Sequence, residues 1–231
     1  MTSKIESSHS SSHWKNEHWW TSPYNFDEAV KEGSHFSLPI ELHDVTLRDG
    51  EQTPGVVFTK EDKIEIAERL DEARVPRIEA GMPLVSDEDR QAIKDIAKNA
   101  SFSKIFAFCR ARKQDIDAAL SCDVKAIVME IPYLRERLNV MGLTVERAAA
   151  EATEAIEYAK AHGLFVVFFP FETTRADFDS ISTMMRAGES AHADRLAVVD
   201  TVGAASPEGF STLVKKVMAL VKVPIEVHCH N

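Results

Sequence analysis

From Pro39 to the last residue the chain alternates between short β-branched or aromatic runs and longer stretches with helical spacing. That alternation leaves few folds open. Strands are expected over 39–47, 76–81, 104–109, 125–130, 164–169, 194–199 and 223–229, and helices over 59–73, 86–98, 113–121, 144–161, 175–190 and 206–220. Capping residues mark the helix starts: Thr59 with Asp62, Ser86 with Asp89, Thr144 with Arg147 and Glu146 in the first turn, and Ser206 ahead of Pro207. Gly163 closes the fourth helix. Seven strands separated by six helices need crossover connections, so the sheet is expected to be parallel.

A doubly wound sheet and a (β/α)8 TIM barrel both satisfy this string of elements. The polar residues separate them. Asp49, Glu79, Arg110, Glu172, Thr201, His228 and His230 fall at or just past strand C-terminal ends, on at least six different strands. A barrel gathers all such ends at one mouth, whereas an open sheet gathers only those beside its switch point. The expected fold class is therefore α/β, a (β/α)8 TIM barrel. It is incomplete here, because the chain stops on strand seven and the eighth strand is missing. A shortened form of a longer parent, inactive by itself, is the expectation, since an open barrel edge exposes unpaired N–H and C=O groups.

Residues 1–37 are expected to form a polar, partly disordered N-terminal extension, and residues 38–231 the barrel domain. The extension opens with Ser7-Ser8-His9-Ser10-Ser11-Ser12-His13, a composition that favours disorder, but Trp14, Trp19 and Trp20 suggest that its second half packs on the body or on a neighbour. His9, His13 and His18 read as exposed histidines in preference to a metal tract. The net charge of −10, with scattered Lys and Arg, argues against a nucleic-acid partner. Cys109, Cys122 and Cys229 form no C-x-x-C pair and suit a reducing cytoplasm. The longest apolar run, 164–171, is too short to span a bilayer and contains Pro170.

His228 and His230 follow the strand-like Pro224-Ile225-Glu226-Val227. Alternate side chains of a strand share a face, so both imidazoles project to one side. Cys229 between them is expected on the opposite face as buried filler. Asp49 follows strand one, and odd strands of a barrel contribute to the same interior layers. One carboxylate and two imidazoles make a facial three-ligand set with open positions, suited to Mg2+, Mn2+, Zn2+ or Fe2+. Arg48 beside Asp49 can stabilise charge growing on a carbonyl oxygen or enolate, or can form a structural ion pair with Glu51 or Glu79.

His43-Asp44-Val45-Thr46-Leu47-Arg48-Asp49-Gly50-Glu51-Gln52-Thr53-Pro54-Gly55, with Lys63 eleven residues after Gln52, resembles the first signature of the isopropylmalate synthase and homocitrate synthase family. That family lies within the metal-dependent barrels that include hydroxymethylglutaryl-CoA lyase. Ile225-Glu226-Val227-His228-Cys229-His230-Asn231 resembles the start of its second signature, and Ile78-Glu79-Ala80-Gly81-Met82-Pro83 and Asp200-Thr201-Val202-Gly203 resemble further strand-end motifs.

The resemblance implies that Asp49, His228 and His230 bind a divalent metal that chelates a 2-oxo acid, and that Arg48 polarises its carbonyl. It implies that Thr201 touches the substrate near its carboxylate or hydroxyl. Glu172, in Pro170-Phe171-Glu172-Thr173-Thr174-Arg175, corresponds to a strand-five acidic position for proton handling or its hydrogen-bond network; a Glu172–Arg175 surface pair is the alternative. The resemblance also implies that Glu79, among the substrate-binding residues, supports Arg48 and does not itself react. Arg110 and Arg112 are natural partners for a distal substrate carboxylate. The span from Pro132 to Asn139 after strand four fits the family pattern only loosely.

Gln52-x-Pro54-Gly55 resembles the condensing synthases. The implied reaction joins acetyl-CoA, the co-substrate, to a 2-oxo acid. The rivals are cleavage of a hydroxyacyl-CoA or hydroxy-oxo acid by a lyase, and a catalytically silent scaffold. A homodimer is the expected assembly.

Overall fold

A computed structural model describes Lys15, residues 21–32 and residues 40–230. Its contacts divide the chain between Glu41 and Leu42. The expected boundary at 37/38, the three Trp residues and the three N-terminal histidines lie outside the described residues. In the first unit a 3-10 turn, Pro23–Phe26, leads into the short helix α1, Glu28–Glu32. No helix among the described residues is long and apolar enough to cross a membrane.

The second unit carries seven strands: β1 His43–Asp44, β2 Arg77–Glu79, β3 Lys104–Arg110, β4 Ala126–Ile131, β5 Phe165–Pro170, β6 Arg195–Asp200 and β7 Ile225–Cys229. All neighbours pair in parallel, in the order β1 to β7 without reversal. A doubly wound sheet reverses its order at a switch point. This one has none, and its curl is visible in side chains: Glu226 of β7 pairs with Arg77 of β2. In a flat sheet those strands would stand about 24 Å apart at roughly 4.8 Å per strand. The seven strands thus form a curled TIM-barrel-type wall.

Side-chain alternation makes two apolar layers from strands buried on both faces. Phe106, Phe108, Ala126, Val128, Val167, Phe169, Ala197 and Val199 face the interior. Their neighbours, among them Ile105, Ala107, Ile127, Met129, Val166, Phe168, Leu196 and Val198, pack outward in the main core with the helices.

The helices are α2 Lys60–Glu72, α3 Asp87–Asn99, α4 Lys113–Ser121, α5 Arg135–Val140, α6 Val145–Ala161, α7 Phe178–Ser190 and α8 Pro207–Leu220. The expected caps are in place: Thr59 and Asp62 form a reciprocal capping box, and the side chains of Ser86, Thr144 and Ser206 each accept an N–H three residues on. Gly163, at φ 78°, follows the end of α6.

Four expectations need correction. The first strand was expected over 39–47, but β1 holds two residues, because the carbonyl of Val45 turns the chain by accepting the N–H groups of Arg48, Asp49 and Gly50. The span after strand four contains helix α5, anchored by Leu138, which is buried. Helix α7 starts at Phe178, not 175; Asp177 caps it by accepting from Ser180, and Thr173–Arg175 forms a separate 3-10 turn. Cys229 is exposed, because among the described residues nothing buries that part of β7, the edge strand.

Gly188 lets α7 pack close against the sheet: a Cβ there would lie 2.5 Å from Phe168 Cδ1 and 2.8 Å from Leu196 Cδ2. Both neighbours are fully buried. Gly188→Ala is therefore expected to destabilise the fold by about 1–3 kcal/mol through overpacking, despite the better helix propensity of alanine. Urea denaturation of the two forms measures the difference.

Candidate metal centre and active site

The turn after β1 aims two adjacent residues at the barrel mouth. Leu47, fully buried, anchors it, and Arg48 and Asp49 follow. Arg48 is held on three sides: Nε donates to Glu79 Oε1, Nη1 donates to Asp49 Oδ1 at 2.8 Å, and the guanidinium carbon lies 4.1 Å from the centre of the Phe108 ring. Nη2 is buried and has no hydrogen-bond partner. A guanidinium fixed this firmly with one donor unmatched is set up to meet an acceptor from outside the protein.

Across the mouth, β7 brings His228 and, just past its end, His230. Ligand atoms of Asp49, His228 and His230 all lie within 4.8 Å of one another. The two imidazole Nε2 atoms are 3.0 Å apart, and they lie 3.8 and 3.7 Å from Asp49 Oδ2. Nitrogen ligands in adjacent positions of an octahedral site with bonds of about 2.1 Å stand about 3.0 Å apart. Burial pushes the His228 pKa down, more than the Asp49 carboxylate pulls it up, which favours the neutral imidazole that a metal requires. The donor set and its spacing fit a divalent ion.

Behind this cluster the turn is pinned from below. Lys63 of α2, only 3 % exposed at its side chain, donates to Glu51 Oε2 at 2.7 Å and to Asp89 Oδ1 at the start of α3. Glu51 also accepts the N–H of Phe58 at 3.4 Å. Burial alone would lower the Lys63 pKa, but the two carboxylates outweigh it and raise it, so the ammonium stays charged.

Glu172 stands in left-handed backbone, φ 63°, a costly conformation for a residue with a Cβ. Its N–H donates to Thr201 Oγ1 at 2.8 Å, and its buried carboxylate accepts from Arg137 Nε at 3.0 Å and Arg175 Nη1 at 3.1 Å. The Glu172–Arg175 pair exists, then, but its acid is buried. Asp200 ties the neighbouring loop together, accepting Thr174 Oγ1 at 2.6 Å and the N–H groups of Ala204 and Ala205 at 3.0 Å each. Burial acts to raise the Asp200 pKa, but these bonds hold it below the ordinary carboxylate value.

The structure thus brings Arg48, Asp49, Glu79, His228 and His230 into one connected cluster, and joins Glu172 to Thr201 in another. Arg110 belongs to neither: its Nε and Nη2 donate to Asp115 at 2.8 and 3.1 Å. Sequence reasoning passed over Glu130, which sits on the interior face of β4 in register with Arg110 and Phe169. A single charge inside the run Ala126-Ile127-Val128-Met129-Glu130-Ile131 was the available signal.

With this geometry in view, the comparisons are decisive at the level of family. The HMGL-like family model matches residues 39–231. The chain belongs to the HMGL-like family. It is 42% identical over 217 residues to a homocitrate synthase of Methanothermobacter thermautotrophicus, covering 92% of this chain and 54% of that protein. It is 45% identical over 197 residues to a probable 2-isopropylmalate synthase of Ignicoccus hospitalis, covering 83% and 49%. The chain spans about half the length of these curated relatives. A hydroxymethylglutaryl-CoA lyase from Bacillus subtilis superposes with a TM-score of 0.72 at 18% identity, covering 83% of this chain and 68% of that one, a likeness of fold.

Lys63 offers a test of how the turn is held. Lys63→Met leaves the Glu51 and Asp89 carboxylates facing each other without a cation and is expected to cost about 3 kcal/mol of stability. Thermal unfolding checks it; an unchanged midpoint would show that the buried ammonium contributes nothing.

Proposed function

We propose that the chain carries the active site of a metal-dependent Claisen-type condensation. The methyl carbon of acetyl-CoA, after losing a proton, attacks the carbonyl carbon of a 2-oxo acid. Thioester hydrolysis then releases CoA and leaves a 2-hydroxy acid with a new carboxymethyl arm. The names of the relatives, homocitrate, citramalate and isopropylmalate synthases, support this reaction class. The observation that carries the reading is the unmatched Nη2 of Arg48 beside the Asp49–His228–His230 cluster.

A divalent ion held by Asp49, His228 and His230, Mg2+, Mn2+ or Zn2+, supplies Lewis acidity toward a carbonyl oxygen when bound. Arg48 donates from Nη2 to that oxygen as negative charge grows on it, and its contacts with Glu79 and Phe108 remove the cost of reorienting it during the reaction. Glu79 acts through Arg48. Glu172 has both carboxylate oxygens occupied by guanidinium donors, so it serves the site by holding Arg137 and Arg175 at the mouth. Thr201 fixes the Glu172 backbone and offers its hydroxyl at the same rim. In this reading residues 38–231 are the catalytic domain and 1–37 an extension, which the family match over 39–231 supports.

With Mg2+ or Mn2+ present, the full-length protein is expected to release CoA from acetyl-CoA only when a 2-oxo acid is added, as read by a thiol-trapping assay. Asp49→Ala and His228→Ala should lose stoichiometric metal by elemental analysis while keeping the native circular dichroism spectrum. Cleavage of a hydroxyacyl-CoA without any 2-oxo acid would identify a lyase instead. Neither reaction with any acid or metal would leave a scaffold.

Arg48→Lys keeps the charge but loses the planar fork that meets Glu79, Asp49 and the substrate together. We expect kcat to fall roughly 100-fold with a modest change in KM, because the contact strengthens in the transition state. An unchanged kcat would make Arg48 a structural residue.

A further inference from the structure

Arg110 shows how a guanidinium of this fold grips a carboxylate: Nε donates to Asp115 Oδ2 at 2.8 Å and Nη2 to Asp115 Oδ1 at 3.1 Å. These two donors share one edge of the guanidinium, and that edge matches the two oxygens of a carboxylate. Arg48 breaks the pattern. Its Nε donates to Glu79 Oε1, but Nη2 on the same edge is buried and, among the described residues, has no hydrogen-bond partner. To close the fork, Glu79 Oε2 would have to meet Nη2.

Glu79 Oε2 instead faces His43, whose Nε2 lies 3.8 Å away, a gap that one water molecule can bridge. That nitrogen is also buried without a hydrogen-bond partner. The imidazole is held from its other side. Its ring centre lies 4.6 Å from that of Phe106, and Nδ1 lies 3.8 Å from Glu226 Oε2. Glu226 is in turn fixed by Arg77 and Arg195. A cavity of about 50 Å³ bordered by His43, Arg48, Glu79, Glu226 and His228 leaves the Glu79 carboxylate room to turn. Packing alone therefore does not keep the fork open.

We propose that His43 is a positioning residue for the reaction: it holds Glu79 Oε2, and so keeps Arg48 Nη2 open for the oxygen on which negative charge grows. The inference rests on the condensation reading of the same site. With an apolar residue in place of His43, Oε2 closes onto Nη2, and the donor meant for the substrate is taken up within the protein. A hydrogen bond to a charged oxygen contributes roughly tenfold or more in binding.

Oxalate tests this in the full-length protein with Mn2+, because it is a planar dianion that places negative charge where the carbonyl oxygen of a 2-oxo acid would sit. A crystal structure of the wild type with both is expected to show Nη2 on oxalate and Oε2 on His43, directly or through water. Calorimetric titration is expected to give an oxalate affinity about tenfold lower in His43→Leu and His43→Phe, with Mn2+ affinity unmoved. Crystal structures of these variants should place Oε2 within hydrogen-bond distance of Nη2. His43→Gln keeps a donor for Oε2 and is expected to stay within about twofold of the wild type. A fork already closed in the wild type, or an oxalate affinity that does not fall in the apolar variants, overturns the proposal. A glutamine variant that falls as far as the apolar ones would make His43 merely structural and overturn it too. If neither apolar variant folds, the wild-type crystal structure and the glutamine variant decide. A wild type that does not bind oxalate removes the proposal as well. The expected pattern without CoA release from acetyl-CoA and any 2-oxo acid would support the role of His43 while removing the condensation reading.

Discussion

Glu226 on β7 takes a guanidinium from Arg77 on β2, 149 residues earlier in the chain, across the interior of the curled sheet. Arg195 on β6 approaches the same carboxylate at 3.4 Å, and His43 on β1 at 3.8 Å. Burial works to raise the Glu226 pKa, but His43 and Arg77 prevail and hold it below the ordinary carboxylate value. Such a buried charge cluster is poor evidence of net stability, because desolvation consumes most of the Coulombic gain. What it contributes is position. Leaving any one charge without its partners is costly, so the cluster favours the curl that places β7 opposite β1 and β2.

The mouth of the barrel inherits that position. His228 lies two residues beyond Glu226 on the same face of β7, and Asp49 follows the turn that ends β1. A change in the curl would separate the two halves of the three-ligand cluster. Below them Phe106, Phe108, Val128, Val167 and Phe169 line the interior, and a cavity of about 50 Å³ remains among Arg48, Glu79, Phe169, Glu226 and His228. The burial of Arg48 strengthens each contact it makes, and makes its unmatched Nη2 a costly group unless an acceptor arrives.

A second set of contacts holds the opposite rim. Glu172 tolerates a left-handed backbone because Thr201, Arg137 and Arg175 each take one of its polar groups. Asp200 braces the adjoining loop through Thr174 and two backbone N–H groups, and its carbonyl accepts the N–H of His230 at 3.1 Å. The loops after β5 and β6 are therefore coupled to the Asp49–His228–His230 cluster through backbone and side chain together. Strain at Glu172 is the local cost of aiming its carboxylate inward.

Much of this was legible from one-dimensional pattern. The alternation of strand and helix, the caps at Thr59, Ser86, Thr144 and Ser206, and the spacing of His228 and His230 are local, because neighbours in sequence decide them. Seven strands and the residues at their ends pointed to a barrel for the same reason. Other features depended on partners distant in the chain. Strand β1 is short because the Val45 carbonyl gathers three N–H groups, and helix α5 forms where a buried Leu138 anchors an otherwise loop-like span. Cys229 is exposed because nothing described buries that part of the edge strand. Arg110 looked free to bind a substrate until Asp115 was placed against it. The sequence by itself determined the elements and the types of ligand they carry; only the tertiary structure decided which charges are matched and which remain open, because pairing depends on distances that the curl of the sheet sets.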